Sequence, residues 1–192
     1  MHTLEVFNRY DDLMRIILVL PEAEIPKWET LCREYGFSVK HDVRPGGETR
    51  FHTVRKNLHG LPGEALIAVH DGVRPLVDRS TIDRCFTAAE KYGNAVPCIE
   101  IPETLRKVED GGNCHADRKK YRLIQTPQIF KGKLLKDAYD VQYMESFTDD
   151  ASVVEHAGHS IFLVEGNTEN IKITFEKDLI IATALMQHTG RL

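Results

Sequence analysis

Apolar positions along the first half of the chain alternate between two spacings. The run 65–70, Ala65-Leu66-Ile67-Ala68-Val69-His70, is almost wholly apolar with no period of two. That is how a strand reads when both faces are covered, as in a parallel sheet flanked by helices. Residues 14–20 read the same way and are closed by Pro21; 37–43 reads as a shorter strand and 95–101 as another. Between these runs the spacing is helical. Ile25, Trp28, Leu31 and Cys32 recur on one face up to Gly36, and 49–58 forms a further helix. Ile82, Cys85, Phe86 and Ala89 mark the inner face of a helix that Ser80 or Thr81 can cap and that reaches Tyr92. Leu4, Val6, Phe7 and Tyr10 place a short amphipathic helix at the start. Strand and helix alternate throughout this half, which predicts an α/β fold with a mostly parallel sheet and right-handed crossovers.

After residue 101 the rhythm breaks. Residues 104–108 and 121–125 both read as extended, separated by the polar stretch 109–120 with Gly111-Gly112. This predicts a hairpin arm over about 104–125 that projects from the body. An isolated two-stranded hairpin is marginal in water, so the arm is expected to pack on a partner subunit. Leu134, Leu135, Ala138 and Tyr139 mark a helix and 151–156 a shorter one. Residues 160–164 and 170–174 read as strands, and 175–186 as a closing helix with Leu179, Ile180, Thr183 and Ala184 inward. With no repeat, linker or low-complexity tract, the expectation is one domain, 1–192, carrying an arm.

Composition narrows the function classes. A net charge of -4 and a pI near 6.1 argue against a nucleic-acid-binding face. No apolar run approaches the roughly 18 residues of a membrane span, and the start lacks the regions of a secretory signal. Four scattered cysteines without a C-x-x-C pair read as free thiols in a reducing cytoplasm. His156 and His159 are the one histidine pair at metal-ligand spacing; they flank Gly158 and read as surface residues.

The candidate chemistry lies at strand ends. Directly after the run 65–70 come Asp71, Gly72, Val73, Arg74 and Pro75, at the carboxyl end of a strand where open α/β sheets gather ligands. Asp71 and Arg74 either face a ligand there, or pair with each other or cap the next helix; spacing alone does not choose. In Asn170-Ile171-Lys172-Ile173-Thr174 the two isoleucines share one face, so Lys172 points the other way. Beside Asp71 it would hold phosphates as a point charge; alone it would be a solvated lysine on an edge strand. Thr148 precedes a helix and is expected to be its N-cap. Pro127 keeps Thr126 extended. Arg118 sits on the arm, either as a solubility residue or as a fork for a phosphate. The stretch Arg44-Pro45-Gly46-Gly47-Glu48-Thr49-Arg50 is a glycine turn that feeds a helix and offers backbone N–H groups to a ligand, or is a plain turn. None of the 13 glycines falls into G-x-G-x-x-G or G-x-x-x-x-G-K-[ST].

Taken in order, His70-Asp71-Gly72-Val73-Arg74-Pro75, Thr104-Leu105-Arg106-Lys107, Gln125-Thr126-Pro127-Gln128, Thr148-Asp149-Asp150-Ala151-Ser152, and Glu165-Gly166 with Asn170-Ile171-Lys172-Ile173-Thr174 resemble the 2-C-methyl-D-erythritol 4-phosphate cytidylyltransferases. The resemblance covers essentially the whole chain. It implies a Rossmann-like fold, a homodimer formed through the hairpin arm, and CTP and a sugar-alcohol phosphate as substrates with Mg²⁺ as the cation. Lys172, Arg118 and Asp71 would be catalytic, with Asp71 near the metal. Arg74, Thr104, Thr126, Thr148 and Asp149 would surround the sugar phosphate. Gly47, Glu48 and Thr53, with Asp71 and Lys172, would line the nucleotide side. Thr104 and Arg118 would serve the neighbouring subunit's site.

The family's first strand, its glycine-rich nucleotide loop and the lysine that follows have no counterpart in this sequence. The expectation is therefore a chain that starts on the order of 30 residues into the fold and binds CTP weakly by itself. Gly72-Val73 replaces two alanines usual in the family. Two rivals stand beside the main reading: a cytidylyltransferase for ribitol 5-phosphate, and a non-catalytic dimeric remnant that lost the nucleotide loop. A methyl group changes binding by only about 1–3 kcal/mol, so shared motifs do not separate the two substrates.

Overall fold

The computed structural model describes residues 1–188. In chain order it contains α1 (His2–Tyr10), β1 (Ile17–Leu20), α2 (Ile25–Glu34), β2 (Asp42–Pro45), α3 (Arg50–Leu58), β3 (Leu66–Val69), α4 (Arg79–Tyr92) and β4 (Asn94–Ile99). There follow β5 (Leu105–Glu109), β6 (Gly112–Ala116), β7 (Leu123–Ile124), β8 (Gln128–Lys131), α5 (Gly132–Ala138), α6 (Asp150–His156), β9 (Leu163–Glu165) and α7 (Glu176–His188).

The expected α/β layering is present, and β3 and β4 carry it. Along β3, Ile67 and Val69 pack into the core under α3, α5 and α6, while Leu66 and Ala68 pack into the core under α4. Successive strand residues face opposite sides, so an unbroken apolar run is what a doubly covered strand requires. Strand β4 is buried almost end to end and divides the same way, with Val96 in the first core and Ala95 in the second. It pairs parallel with β9, and β1 pairs parallel with β2. Between β3 and β4 lies β8, antiparallel to both, so β3, β4 and β9 share one direction. Strand β7 continues along the β8 edge of β4, with the register slipping at Gln125-Thr126-Pro127, where the Thr126–Pro127 bond is cis.

Several sequence expectations are corrected. The arm is a hairpin, but its second strand is β6 and not 121–125, which returns to the main sheet as β7. The reason is local: Asp110-Gly111 forms the two-residue turn between Glu109 and Gly112, with Gly111 at φ +92°, a conformation that costs glycine nothing. Helix α4 is capped by Asp78, whose carboxylate accepts from Thr81 N–H at 2.7 Å, and not by Ser80 or Thr81. Helix α6 is capped by Asp149 in a capping box with Ser152, and not by Thr148. The first strand begins at Ile17, and the second runs from Asp42 to Pro45. The residues before that second strand form an aromatic cluster of Trp28, Phe37 and His41. Residues 170–174 form no strand among the described residues. Helix α7 turns Ala182 and Met186 inward and leaves Leu179, Ile180, Thr183 and Ala184 exposed. It is apolar nearly all round, so periodicity alone does not select its buried face. Among the described residues, no helix is long and apolar enough to cross a membrane.

Candidate active site

Three chain segments are tied together at the carboxyl end of β3. The first is Asp71–Arg74, the second the Gln125-Thr126-Pro127 slip between β7 and β8, and the third the stretch 167–173 before α7. Asn170, fully buried, links all three. Its carbonyl accepts from Arg74 Nη1 at 2.7 Å, and its side-chain amide donates to the Thr126 carbonyl at 2.8 Å. Gln125 donates to the Asn167 carbonyl at 2.9 Å, and Ile173 N–H donates to the Val73 carbonyl at 3.0 Å. Ile171 and Ile173 then pack beside Leu76, Ala182 and Met186. The alternation read from the sequence survives although no strand forms, and Lys172 points to the opposite side.

That side is Asp71. Lys172 Nζ lies 3.2 Å from Asp71 Oδ2, Arg74 Nε lies 3.2 Å from the same oxygen, and Arg50 Nε lies 3.9 Å from Oδ1. Arg74 does pair with Asp71, as one reading of their spacing held, and both also stand at the rim with Lys172. Burial pushes the Asp71 carboxyl up, but Lys172, Arg50 and Arg74 outweigh it and hold the group below the usual carboxylate range. The carboxylate is therefore ionised at neutral pH.

Behind it, His70 donates from Nε2 to the Arg74 carbonyl at 3.0 Å, since a carbonyl can only accept. Its Nδ1 then accepts from the Thr126 hydroxyl at 3.1 Å, and that hydroxyl accepts from Asp71 N–H at 3.1 Å. Burial pushes His70 down to about 4, which keeps the ring neutral and this chain of bonds intact.

Arg50 reads from the sequence only as the end of the glycine turn, with no role in the site. It opens α3, directly after the Gly46-Gly47 turn, and reaches both Asp71 and Asp150. Its Nη2 lies 2.5 Å from Asp150 Oδ2, a carboxylate with no exposed surface. Tyr139 donates to Asp150 Oδ1 at 2.6 Å. Asp71, Asp150, Arg50, Arg74 and Lys172 form one network of three cations on two carboxylates, and Lys172, the most exposed of the three cations, is the one left open to a phosphate. No local pattern marks Arg50, because its partner stands 100 residues away in the chain.

The other residues singled out in the sequence divide into two groups. The glycine turn, Thr126 and Asp149 are brought to this rim. Thr53 accepts from Gly47 N–H at 2.9 Å and so clasps the turn, beside exposed Glu48. Asp149 accepts from Ser152 N–H at 2.9 Å and from the Gln128 amide at 2.7 Å, which leaves exposed Thr148 at the helix mouth. Thr104 and Arg118 lie at the base of the arm, and Arg118 donates to the Pro102 carbonyl. Among the described residues no hydrogen bond or ion pair joins either of them to Asp71.

The IspD family model, described as 2-C-methyl-D-erythritol 4-phosphate cytidylyltransferase, matches residues 1–188. The chain belongs to this family. A family member from Bacteroides thetaiotaomicron is 49% identical over 186 residues, which span 97% of this chain and 85% of that protein. One from Porphyromonas gingivalis is 48% identical over 187 residues, 97% of this chain and 83% of the relative. Among solved structures, the cytidylyltransferase of Thermus thermophilus superposes with a TM-score of 0.80 at 31% identity, covering 97% of this chain and 87% of that one. A synthase from Anaerococcus prevotii superposes at 0.84 with 25% identity, covering 97% and 84%. The family fold is the Rossmann-like α/β arrangement, and the cluster around Asp71 lies within the matched residues.

Proposed function

We propose that the chain transfers CMP from CTP to 2-C-methyl-D-erythritol 4-phosphate, giving the CDP-alcohol and diphosphate. The observation that carries this is the convergence of Lys172, Arg74 and Arg50 on Asp71 at the strand-end rim, in a chain nearly half identical to relatives bearing that activity in their names. An oxygen of the sugar phosphate attacks the α-phosphorus of CTP. The new P–O bond forms as the bond to the bridging oxygen of the β-phosphate breaks, and diphosphate leaves with that electron pair. The attacking phosphate is already an anion, so no general base is required. Positioning and fixed charge carry the reaction, as in other phosphoryl transfers.

Lys172 is the catalytic cation, because its ammonium is anchored on Asp71 while its side chain remains 46% exposed. Arg74, Thr126, Thr148 and Asp149 shape the sugar-phosphate side; Gly47, Glu48 and Thr53 shape the nucleotide side. Thr126 acts from behind, since its hydroxyl is committed to Asp71 N–H and His70.

Among the described residues, no group of three or more histidine, cysteine or acidic side chains could cage a metal ion. Mg²⁺ is commonly held by one or two carboxylates, waters and the substrate's phosphates, and Asp71 fits that mode. Among the described residues its Oδ1 makes no hydrogen bond, and its near neighbour there is Arg50 at 3.9 Å. When bound, the ion would offset charge on the nucleotide's phosphates.

A homodimer belongs to the same proposal. The β5–β6 ladder is exposed over nearly all its length, and Val108 shows 80% of its surface. Docking on a second copy would cover it and bring Thr104 and Arg118 to the neighbour's site. The four free cysteines fit a reducing, cytoplasmic setting.

The whole gene product, given CTP and methylerythritol phosphate, should release diphosphate and form the CDP-alcohol by phosphorus NMR. Ribitol 5-phosphate in a matched incubation should react far more slowly. Turnover of the pentitol phosphate alone would overturn the substrate assignment.

A further inference from the structure

We infer that Arg50 is a positioning residue that sets the spacing between the nucleotide edge and the sugar-phosphate edge of the site, acting through the buried carboxylate of Asp150. The inference rests on the functional reading above. Arg50 is the first residue of α3, just beyond Gly46-Gly47 and the capping Thr49; Asp150 is the first residue of α6, just beyond Thr148-Asp149. The two helix starts carry the two edges, and the guanidinium spans them. One nitrogen lies 2.5 Å from Asp150 Oδ2 and another 3.9 Å from Asp71 Oδ1.

Asp150 cannot touch a substrate, for it has no exposed surface. Each of its oxygens is used once, one by Arg50 and one by the Tyr139 hydroxyl at 2.6 Å. The Tyr139 ring in turn stacks on Phe51, the residue after Arg50, with centroids 4.9 Å apart. Helix α6 is seated on the sheet independently, since Gln128 of β8 accepts from Ala151 N–H at 2.9 Å and donates to Asp149 at 2.7 Å. The start of α3 is therefore held against a fixed α6 by this pair. A planar, five-donor guanidinium can address two carboxylates at once, whereas a lysine is a point charge that cannot hold the same geometry. The Asp150 charge keeps the Arg50 guanidinium protonated well beyond the ordinary range although burial opposes it.

The test is steady-state kinetics of the whole gene product with CTP saturating and the sugar phosphate varied. A purely stabilising ion pair would change the folded fraction, lowering kcat and leaving KM alone; a displaced edge raises KM. Arg50→Lys and Asp150→Asn should each raise KM for the sugar phosphate about tenfold, with Tyr139→Phe giving a rise of roughly two- to threefold, and all three should melt cooperatively. KM within twofold of the unsubstituted enzyme in folded Asp150→Asn would overturn the inference. If that variant does not fold, Tyr139→Phe decides: a KM raised about twofold or more supports the inference, and a KM equal to that of the unsubstituted enzyme within error overturns it. An unsubstituted enzyme that forms no CDP-alcohol would overturn the functional reading and this inference together. Normal turnover with unaltered variants would overturn the inference alone.

Discussion

Lys172 Nζ stands 3.2 Å from Asp71 Oδ2, and the aspartate side chain is 15% exposed against 46% for the lysine. One partner is an anchor and the other remains open to a ligand. Lys172→Ala should therefore lower kcat by about 10²- to 10³-fold, the range for removing one pre-placed charge from a transition state. Stability should change by only about 1 kcal/mol, because the lysine is half-exposed and Asp71 keeps Arg74 and Arg50 as partners. Rate and thermal melt measured on one preparation check this. Unchanged turnover would remove Lys172 from the chemistry.

Gly47 is needed for space. A Cβ built there would lie 2.8 Å from His52 Cβ and 2.9 Å from the His52 carbonyl carbon, inside the first turn of α3. Gly47→Ala should push the glycine turn off α3, cost about 1–3 kcal/mol by overpacking, and weaken CTP binding. Denaturant unfolding and nucleotide titration report the two effects separately; a variant with native stability and native CTP affinity would show that the turn has room to spare.

His70 makes folding depend on pH. Its ring takes a proton near 6.5 when unfolded and at about 4 in the fold. Between those values the unfolded chain binds the extra proton, so stability is complete above pH 6.5 and falls as the pH drops toward 4. The loss has a ceiling of about 3 kcal/mol. Asp71, whose carboxyl is depressed, adds a further loss at lower pH as it takes its proton. Urea unfolding in metal-free buffer should show the slope between pH 6.5 and 4, and His70→Gln should flatten it. An equal slope in the variant would assign it to other groups.

The arm carries its own prediction. Its ladder has five residue pairs and almost no core, and Val108 is 80% exposed. Sedimentation should give a mass twice that of the 21.9 kDa chain. Val108→Asp should weaken the dimer by about tenfold or more, roughly 1.4 kcal/mol, without lowering the melting midpoint of the body. A monomer at all concentrations would leave the arm without the partner proposed for it.

By itself the sequence determined which stretches are covered on two faces, where helices alternate with strands, and which short motifs end at the rim of the sheet. Burial leaves a local signature, because each residue's apolar or polar character records the face it occupies at a period of 2.0 or 3.6. The turn at Asp110-Gly111 was equally legible as a hairpin signal, and reading the longer pairing instead misplaced the arm's second strand. Only the tertiary structure decided that β8 slots antiparallel between β3 and β4, that Asn170 clasps three segments without forming a strand, and that α7 buries Ala182 and Met186. It alone paired Arg50 with Asp150. Charges distant in the chain carry no periodic mark of their partner, since what selects the pair is the path of the backbone between them.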